Sequence, residues 1–403
     1  MRSFIQFLSI FTLILGSAYT YTGIRLVEGL NITGNFLILF WTLVVLLVLL
    51  VPVSYFISQW TTKTKIRSVF SFLAFLGLGY FTILFSLVLA NDFLLLLLPH
   101  LIPDLIVWLK PSLAKLGYVP PEESQYLPHL LSLSAVLTSI LLTAYGFLQT
   151  HVRLRSLTVK VPIQNLHPDL FGFSIVQISD VHVGPTIQSR FIKKVVKRIN
   201  RLQPDCVVIT GDLVDGPASQ FKEHIQPLRE IQAKYGVFYV TGNHEYYSGV
   251  MPWLNELQNL GIQVLLNENR QLKINSANLC MAGVTDLKAG NLIKTHSTDP
   301  GAAIRGGEQA DLKVLLAHQP NSALEAVKYG YHLQISGHTH GGQYFPGNLL
   351  IYLFQKFVAG LHHYKGMWIY VSRGTGYWGP PLRIGSPSEV TKLVLVNPGE
   401  ETN

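Results

Sequence analysis

Two patterns of apolar residues divide this chain. Before about residue 150, apolar positions run on almost without interruption; from Gly172 onward, short apolar runs alternate with segments of helical period. The early runs, 4–22, 36–58, 69–90 and 130–147, approach or exceed the roughly 20 residues with which a helix crosses a bilayer core. The first could pass for a signal peptide. No small-residue cleavage site leads into a soluble domain, however, and further apolar runs come after it, so it reads as a membrane helix. Residues 93–109 are ambiguous, with two prolines and Asp104 in an otherwise apolar stretch. They would extend the third span, lie at the interface, or cross as a fifth helix.

Charge helps to decide. Lys63, Lys65 and Arg67 follow the second run, and Arg153, Arg155 and Lys160 follow the last. Basic flanks prefer the cytoplasmic side, so the two clusters should be separated by an even number of crossings. Four spans satisfy this and five do not. The expectation is a multi-pass region over 1–150 and a linker over 151–170. Residues 171–403 would then form a folded domain on the cytoplasmic side.

In that domain the strand candidates are 174–179, 206–210, 237–241, 264–266, 279–284, 313–317, 333–336, 368–372 and 392–396. Helical period appears in 188–202, where Phe191, Ile192, Val195, Val196, Ile199 and Leu202 share a face opposite Lys193, Lys194, Lys197, Arg198 and Arg201. Further helices are expected over 250–260 and near 322–329. Such alternation predicts an α/β domain with helices covering both sides of its sheets.

Composition changes the picture little. Charged residues make up 13% of the chain and the formal net charge is +8. Lysine and arginine are not interleaved with aromatics, so nucleic acid is not an expected partner. A membrane surface or an anionic substrate fits better. The two cysteines, Cys206 and Cys280, lie in separate apolar runs without the CxxC spacing of a zinc or redox site, and read as buried small hydrophobes.

The candidate chemistry lies in the turns at the strand ends. Run 174–179 leads into Asp180 and His182, and run 206–210 into Gly211 and Asp212. Run 237–241 leads into Gly242, Asn243, His244 and Glu245, run 313–317 into His318, and run 333–336 into Gly337, His338, Thr339 and His340. Ligands gather at the carboxyl ends of strands in α/β sheets. Asp and Asn also form ordinary turns, so Asp180, Asp212 and Asn243 taken singly favour a structural role; five such turns together do not. Mixed carboxylate, imidazole and amide donors suit Mn, Fe, Zn or Mg. One carboxylate can bridge a pair of cations, which acidifies water and holds phosphoryl oxygens.

The series DxH, GD, GNHE, H and GHTH resembles the calcineurin-like metallophosphoesterase superfamily over about residues 172–397. The later stretches GHTHGGQ and SRGTGYWGPPLRIG resemble its membrane-anchored subgroup. That resemblance implies an α/β fold with N-terminal transmembrane helices and a four-layer αββα sandwich. It also implies two divalent metal ions, with manganese favoured. Carried over by position, Asp180, His182 and His340 would hold one metal, and Asn243, His318 and His338 the other, with Asp212 bridging. His244 would serve the leaving-group oxygen. Glu245 would orient His244 or form a surface salt bridge. Arg373 would bind substrate phosphate or pin the C-terminal loop, while Arg383 reads as structural. Tyr246, Tyr247, Trp253 and Tyr377 would line a pocket or pack in the core.

The expected function is therefore a membrane-anchored phosphoesterase that hydrolyses a phosphodiester, phosphomonoester or pyrophosphate by metal-bound hydroxide. A phosphorylated lipid is an attractive substrate, with a soluble nucleotide or diester still open. The rival is a transport or sensor protein whose spans carry the function and whose phosphoesterase-like domain regulates it.

Overall fold

The structure, a computed structural model, describes residues 2–61, 64–101, 126–152 and 154–399. It divides into two compact units, Met1–Phe147 and Leu148–Asn403.

The first unit is helical: α1 Arg2–Leu30, α2 Gly34–Trp60, α3 Thr64–Leu101 and α4 Tyr126–Val152, the last turn of α4 belonging to the second unit. All four are long and apolar enough to cross a membrane. Each exceeds its expected run because turns of lower hydropathy extend the helix beyond the apolar stretch. Helix α3 runs unbroken past residue 93, so the first part of the ambiguous segment extends the third span. Residues 102–109, Asp104 included, lie outside the described residues. The helices bury little against one another; Leu26, Leu84, Val88 and Ala135 form one small core. Arg25 and Asp92 form a close ion pair, 2.6 Å from Nη2 to Oδ1, so the acid within α3 is matched by a base within α1.

Among the described residues the second unit contains twelve strands. They are β1 Arg155–Pro162, β2 Ser174–Ile178, β3 Cys206–Thr210, β4 Val237–Val240, β5 Gln263–Val264 and β6 Glu268–Ile274. The remaining six are β7 Ala277–Gly283, β8 Leu312–Leu316, β9 Leu333–Ser336, β10 Gly360–Tyr364, β11 Met367–Val371 and β12 Glu389–Val396. One sheet has the order β1-β12-β2-β3-β4-β5, the other β10-β11-β9-β8-β7-β6. Within the first, β2 to β5 are parallel; within the second, β7, β8, β9 and β11 are parallel.

Alternation within the strands builds the layers. On β3, Cys206 and Val208 face the core between the sheets, while Val207 and Ile209 join the outer core under helix α5 Ser189–Arg201. On β8, Leu312, Val314 and Leu316 point to the shared core, and Leu315 packs with Ala303, Ile304 and Ala323 on the far side. Helix, sheet, sheet, helix is the expected four-layer αββα sandwich. Because the central strands of each sheet run parallel, their carboxyl ends collect at one edge. Gln177 links the sheets there, its amide donating to Thr210 Oγ1 at 2.6 Å and to the Ser336 carbonyl at 2.8 Å.

Three strands arise where none was expected. The segment read as a linker contains β1, which pairs in register with β12 along its whole length. The polar edge strands β6 and β10 complete the second sheet.

Candidate metal centre

Every turn singled out from the sequence arrives at the common edge of the two sheets. Asp180, His182 and His340 place one donor atom each within 4.8 Å of one another. Asp212, His318 and His338 do the same, as do His182, Asp212 and His244. Asp212 therefore belongs to two of the three groups and His182 joins them.

The turns adopt backbone that side chains avoid. Asp180, His182, Asp212, His338 and His340 have φ of 52°, 56°, 47°, 72° and 51°. Left-handed backbone costs an L-residue roughly 1–2 kcal/mol, and strain concentrated on five polar residues at one locus marks a functional site. Close approach also dictates the glycines. A Cβ on Gly337 would strike Ser179 Oγ and the Asp180 carboxylate, and one on Gly211 would lie 2.7 Å from His318 Nδ1.

The donors are fixed by their surroundings. His318 Nδ1 donates to the Thr210 carbonyl at 2.8 Å, which leaves Nε2 facing Asp212 Oδ2 at 3.1 Å and His338 Nδ1 at 3.2 Å. His182 Nε2 lies 3.1 Å from His340 Nε2, which is itself 3.4 Å from Asp180 Oδ1. The His338 N–H donates to both Asp180 oxygens, at 3.0 and 3.1 Å.

Acceptors crowded so closely need a positive charge among them. Burial, then the charge on His318, pushes His338 down to about 3. Burial, then the Arg383 guanidinium, holds His340 well below its ordinary value. Both imidazoles are thus neutral, as a metal ligand must be. Burial opposes charge on Asp212, but His318 outweighs it and keeps the carboxylate ionised. The buried Asn243 Oδ1 has no hydrogen-bond partner. An orphaned amide oxygen one residue before His244, together with neutral imidazoles and an ionised carboxylate, fits divalent cations, and the set is too hard for a thiophilic ion.

His244 stands at the mouth. Its Nδ1 is 2.5 Å from Asp215 Oδ1, its main-chain N–H donates to Asp212 Oδ1 at 2.9 Å, and its Nε2 stays 3.9 Å from Asp212 Oδ2. Burial disfavours its charged form, but the Asp215 hydrogen bond and the Asp212 charge outweigh this and raise it to about 9. Tyr247 and Trp378 flank the ring edge-on at 5.5 and 5.7 Å, and both are exposed.

For several residues the structure decides between the readings the sequence left open. Glu245 is fully buried and forms no surface salt bridge. Its carboxylate accepts the N–H groups of Asp212, Leu213, Val214 and Gly242 at 3.0, 2.8, 3.3 and 2.6 Å, tying the third turn to the second. Glu245→Ala would strand these donors, a loss of about 3 kcal/mol or more. The expected melting midpoint is roughly 6–12 °C lower, measured by near-ultraviolet circular dichroism. Arg373 Nη1 reaches Glu389 Oε2 at 3.4 Å, which favours the loop-pinning role. Arg383 is buried and its guanidinium donates to the carbonyls of Gly376, His340 and Ser386, locking the last ligand turn. Trp253 is core, Tyr377 is nearly buried, and Tyr246 donates to or accepts from His296 Nδ1 at 2.9 Å. Asp215 does not stand out in the sequence; its signal is a second acid three residues after Asp212, close enough to return to the same turn.

A two-sheet sandwich with clustered carboxylates and imidazoles at its strand ends defines the class as an α/β metal-dependent hydrolase fold. The family model described as calcineurin-like phosphoesterase matches residues 173–342. An uncharacterized metallophosphoesterase of Aquifex aeolicus is 34% identical over 264 residues, covering 65% of this chain and 98% of that protein. A Bos taurus protein named transmembrane protein with metallophosphoesterase domain is 39% identical over 272 residues, covering 65% of this chain and 61% of its own length. The Danio rerio protein of the same name is 35% identical over 269 residues, covering 65% and 62%. The chain belongs to the calcineurin-like metallophosphoesterases, alongside relatives named for a transmembrane region. The alignments span about three-fifths of the length of those vertebrate relatives.

Proposed function

We propose that the chain is a membrane-tethered phosphoesterase that hydrolyses a P–O bond of a phosphate ester or pyrophosphate. The observation that carries this is the linkage of three donor groups through two shared residues, Asp212 and His182. Asp180, His182 and His340 would hold one divalent cation and Asn243, His318 and His338 a second, with Asp212 common to both; manganese is the favoured ion. Cations bound there would supply Lewis-acid neutralisation of the phosphoryl charge and an acidified water.

The chain's own residues supply the rest. His244 is held by Asp215 through Nδ1, so Nε2 is left to face the substrate. Protonated at neutral pH, it gives its proton to the departing ester oxygen as the P–O bond breaks and water's oxygen bonds to phosphorus. Asp215 keeps the ring charged and oriented without touching the reacting atoms. Tyr247 and Trp378 wall the mouth and limit water on the leaving-group side.

The four helices able to span a bilayer support a membrane-borne phosphate or pyrophosphate ester as substrate. Lys65 after the second helix and Arg155 and Lys160 after the fourth support a cytoplasmic catalytic unit. The test uses the full-length protein in detergent, freed of metal and assayed on bis(p-nitrophenyl) phosphate with and without added manganese, zinc or magnesium. Metal-dependent release of nitrophenol is expected. No turnover with any of these ions, in protein that binds them, would overturn the reading. Parallel assays on phosphorylated lipids and nucleotides distinguish the substrate classes.

A further inference from the structure

The helix Gly347–Phe354 presents an unusual surface for a folded domain. Its sequence, GNLLIYLF, contains no charge. Leu349, Leu350, Tyr352, Leu353 and Phe354 are all exposed, Leu353 at 76%. A helix apolar on every side belongs in a core or in lipid, and a contiguous exposed apolar patch marks an interaction surface.

This helix is fastened to the metal centre. Its Asn348 N–H donates to the Tyr344 carbonyl at 3.1 Å, and the Asn348 amide reaches the Ile384 carbonyl at 3.4 Å. Gln343, three residues beyond the ligand His340, donates to the carbonyls of Trp378 and Pro380 at 3.0 Å and accepts from the Trp378 N–H at 2.9 Å. Trp378 is exposed and flanks His244. The helix, Trp378 and the proton-donating histidine therefore share one rim.

An aromatic contact within the second unit borders the same rim. His151, on the last turn of α4, lies ring to ring 6.3 Å from Tyr377, the neighbour of Trp378. Four helices of this chain are long and apolar enough to cross a bilayer, so a lipid surface is the partner its folded domain meets. The patch is composed accordingly. Aliphatic side chains lead, Tyr352 and Trp378 are of the type that gathers at the headgroup level, and Lys356 comes immediately after with Nζ 4.0 Å from the Tyr364 ring. An apolar helix bordered by aromatics and a cation suits the bilayer surface.

We propose that Gly347–Phe354, with Trp378 at its margin, inserts into the membrane surface and sets the mouth of the metal centre at headgroup depth. The insertion stands independently of the hydrolase reading. If confirmed, it lets a lipid-borne phosphate reach His244 without leaving the bilayer.

The test uses the full-length protein in vesicles of phosphatidylcholine and phosphatidylglycerol. Both native cysteines are buried, so Leu353→Cys gives a single accessible attachment point for an environment-sensitive dye. Lys328→Cys, on an exposed lysine of another helix, serves as the control. A nitroxide placed in the lipid acyl chains is expected to quench the residue-353 dye at least about twofold and leave the control unchanged. Emission at 353 matching water, without lipid quenching, would overturn the proposal. So would a dye shielded from aqueous iodide but untouched by the lipid nitroxide, which would mean that a protein partner or second copy covers the helix. Equal quenching at both positions would also overturn it, since contact would then not be specific to this helix. Because the readout is optical, a protein that hydrolyses nothing leaves it intact, and the two failures can be told apart.

Discussion

Asp212→Ala is expected to lower turnover of a phosphodiester by at least about 10³-fold, equivalent to roughly 4 kcal/mol in the transition state. No other side chain here has so many duties. Its Oδ2 faces His318 at 3.1 Å, its Oδ1 takes the His244 N–H at 2.9 Å, and it belongs to two of the three donor groups. Removing the carboxylate leaves His318 without its counter-charge and withdraws the one ligand that both proposed cations would share. Metal content, read by elemental analysis after dialysis, should fall with activity. Asp212→Asn keeps shape and loses charge, so it separates the two effects: weaker metal binding with the fold retained is the expected result. Circular dichroism guards against simple unfolding, since the buried His318 Nε2 would lose its carboxylate partner. Full activity at full metal content in Asp212→Ala would sink the shared-carboxylate assignment.

The legibility of each feature in the sequence depends on where its signal lies. The candidate ligand turns sit directly after buried apolar strands, so polar residues such as Asp180, Asp212 and His338 stand out against runs that admit little else. Their convergence is implied by parallel strands ending at one edge. Helix α5 is legible because a full amphipathic period leaves little choice of face. The edge strands are not. Glu268–Ile274 and Gly360–Tyr364 are polar because one side of each meets water, and polar alternation is weak evidence for a strand. In Arg155–Pro162, Leu157, Val159 and Val161 do alternate, but the basic residues around them favour a linker; pairing with β12 across more than 200 positions is a long-range fact that no local pattern carries. The burial of Glu245 is hidden for a related reason. A charged residue next to a motif reads as surface until the fold encloses it, and Glu245 is buried because main-chain groups from two turns converge on it. Nothing in LLIYLF says whether it faces protein, water or lipid. Only its exposure in the folded domain does.

The second large effect concerns the pair Asp215 and His244. His244→Ala is expected to lower turnover by about 10²–10³-fold for alkyl esters, whose leaving oxygen needs a proton, and by much less for nitrophenyl esters, which depart as stable anions. Asp215→Asn tests how that proton is held. Burial lowers the His244 pKa, and the Asp215 hydrogen bond leads the contributions that overcome it, bringing the group to about 9. In the proposed mechanism the acid form is the active one. Activity is therefore retained below the folded pKa and falls as pH rises through it. Bound cations push His244 downward, so the alkaline limb of the loaded protein lies at or below about pH 9. Replacing Asp215 removes a positive shift from the same ring, and the limb should move to lower pH by about one unit or more. A residue that only held the fold would lower the rate at every pH alike. An alkyl-ester profile that keeps its alkaline limb in Asp215→Asn, at any height, would rule out the proton-holding role; a limb that moves down while nitrophenyl-ester turnover is largely kept would establish it.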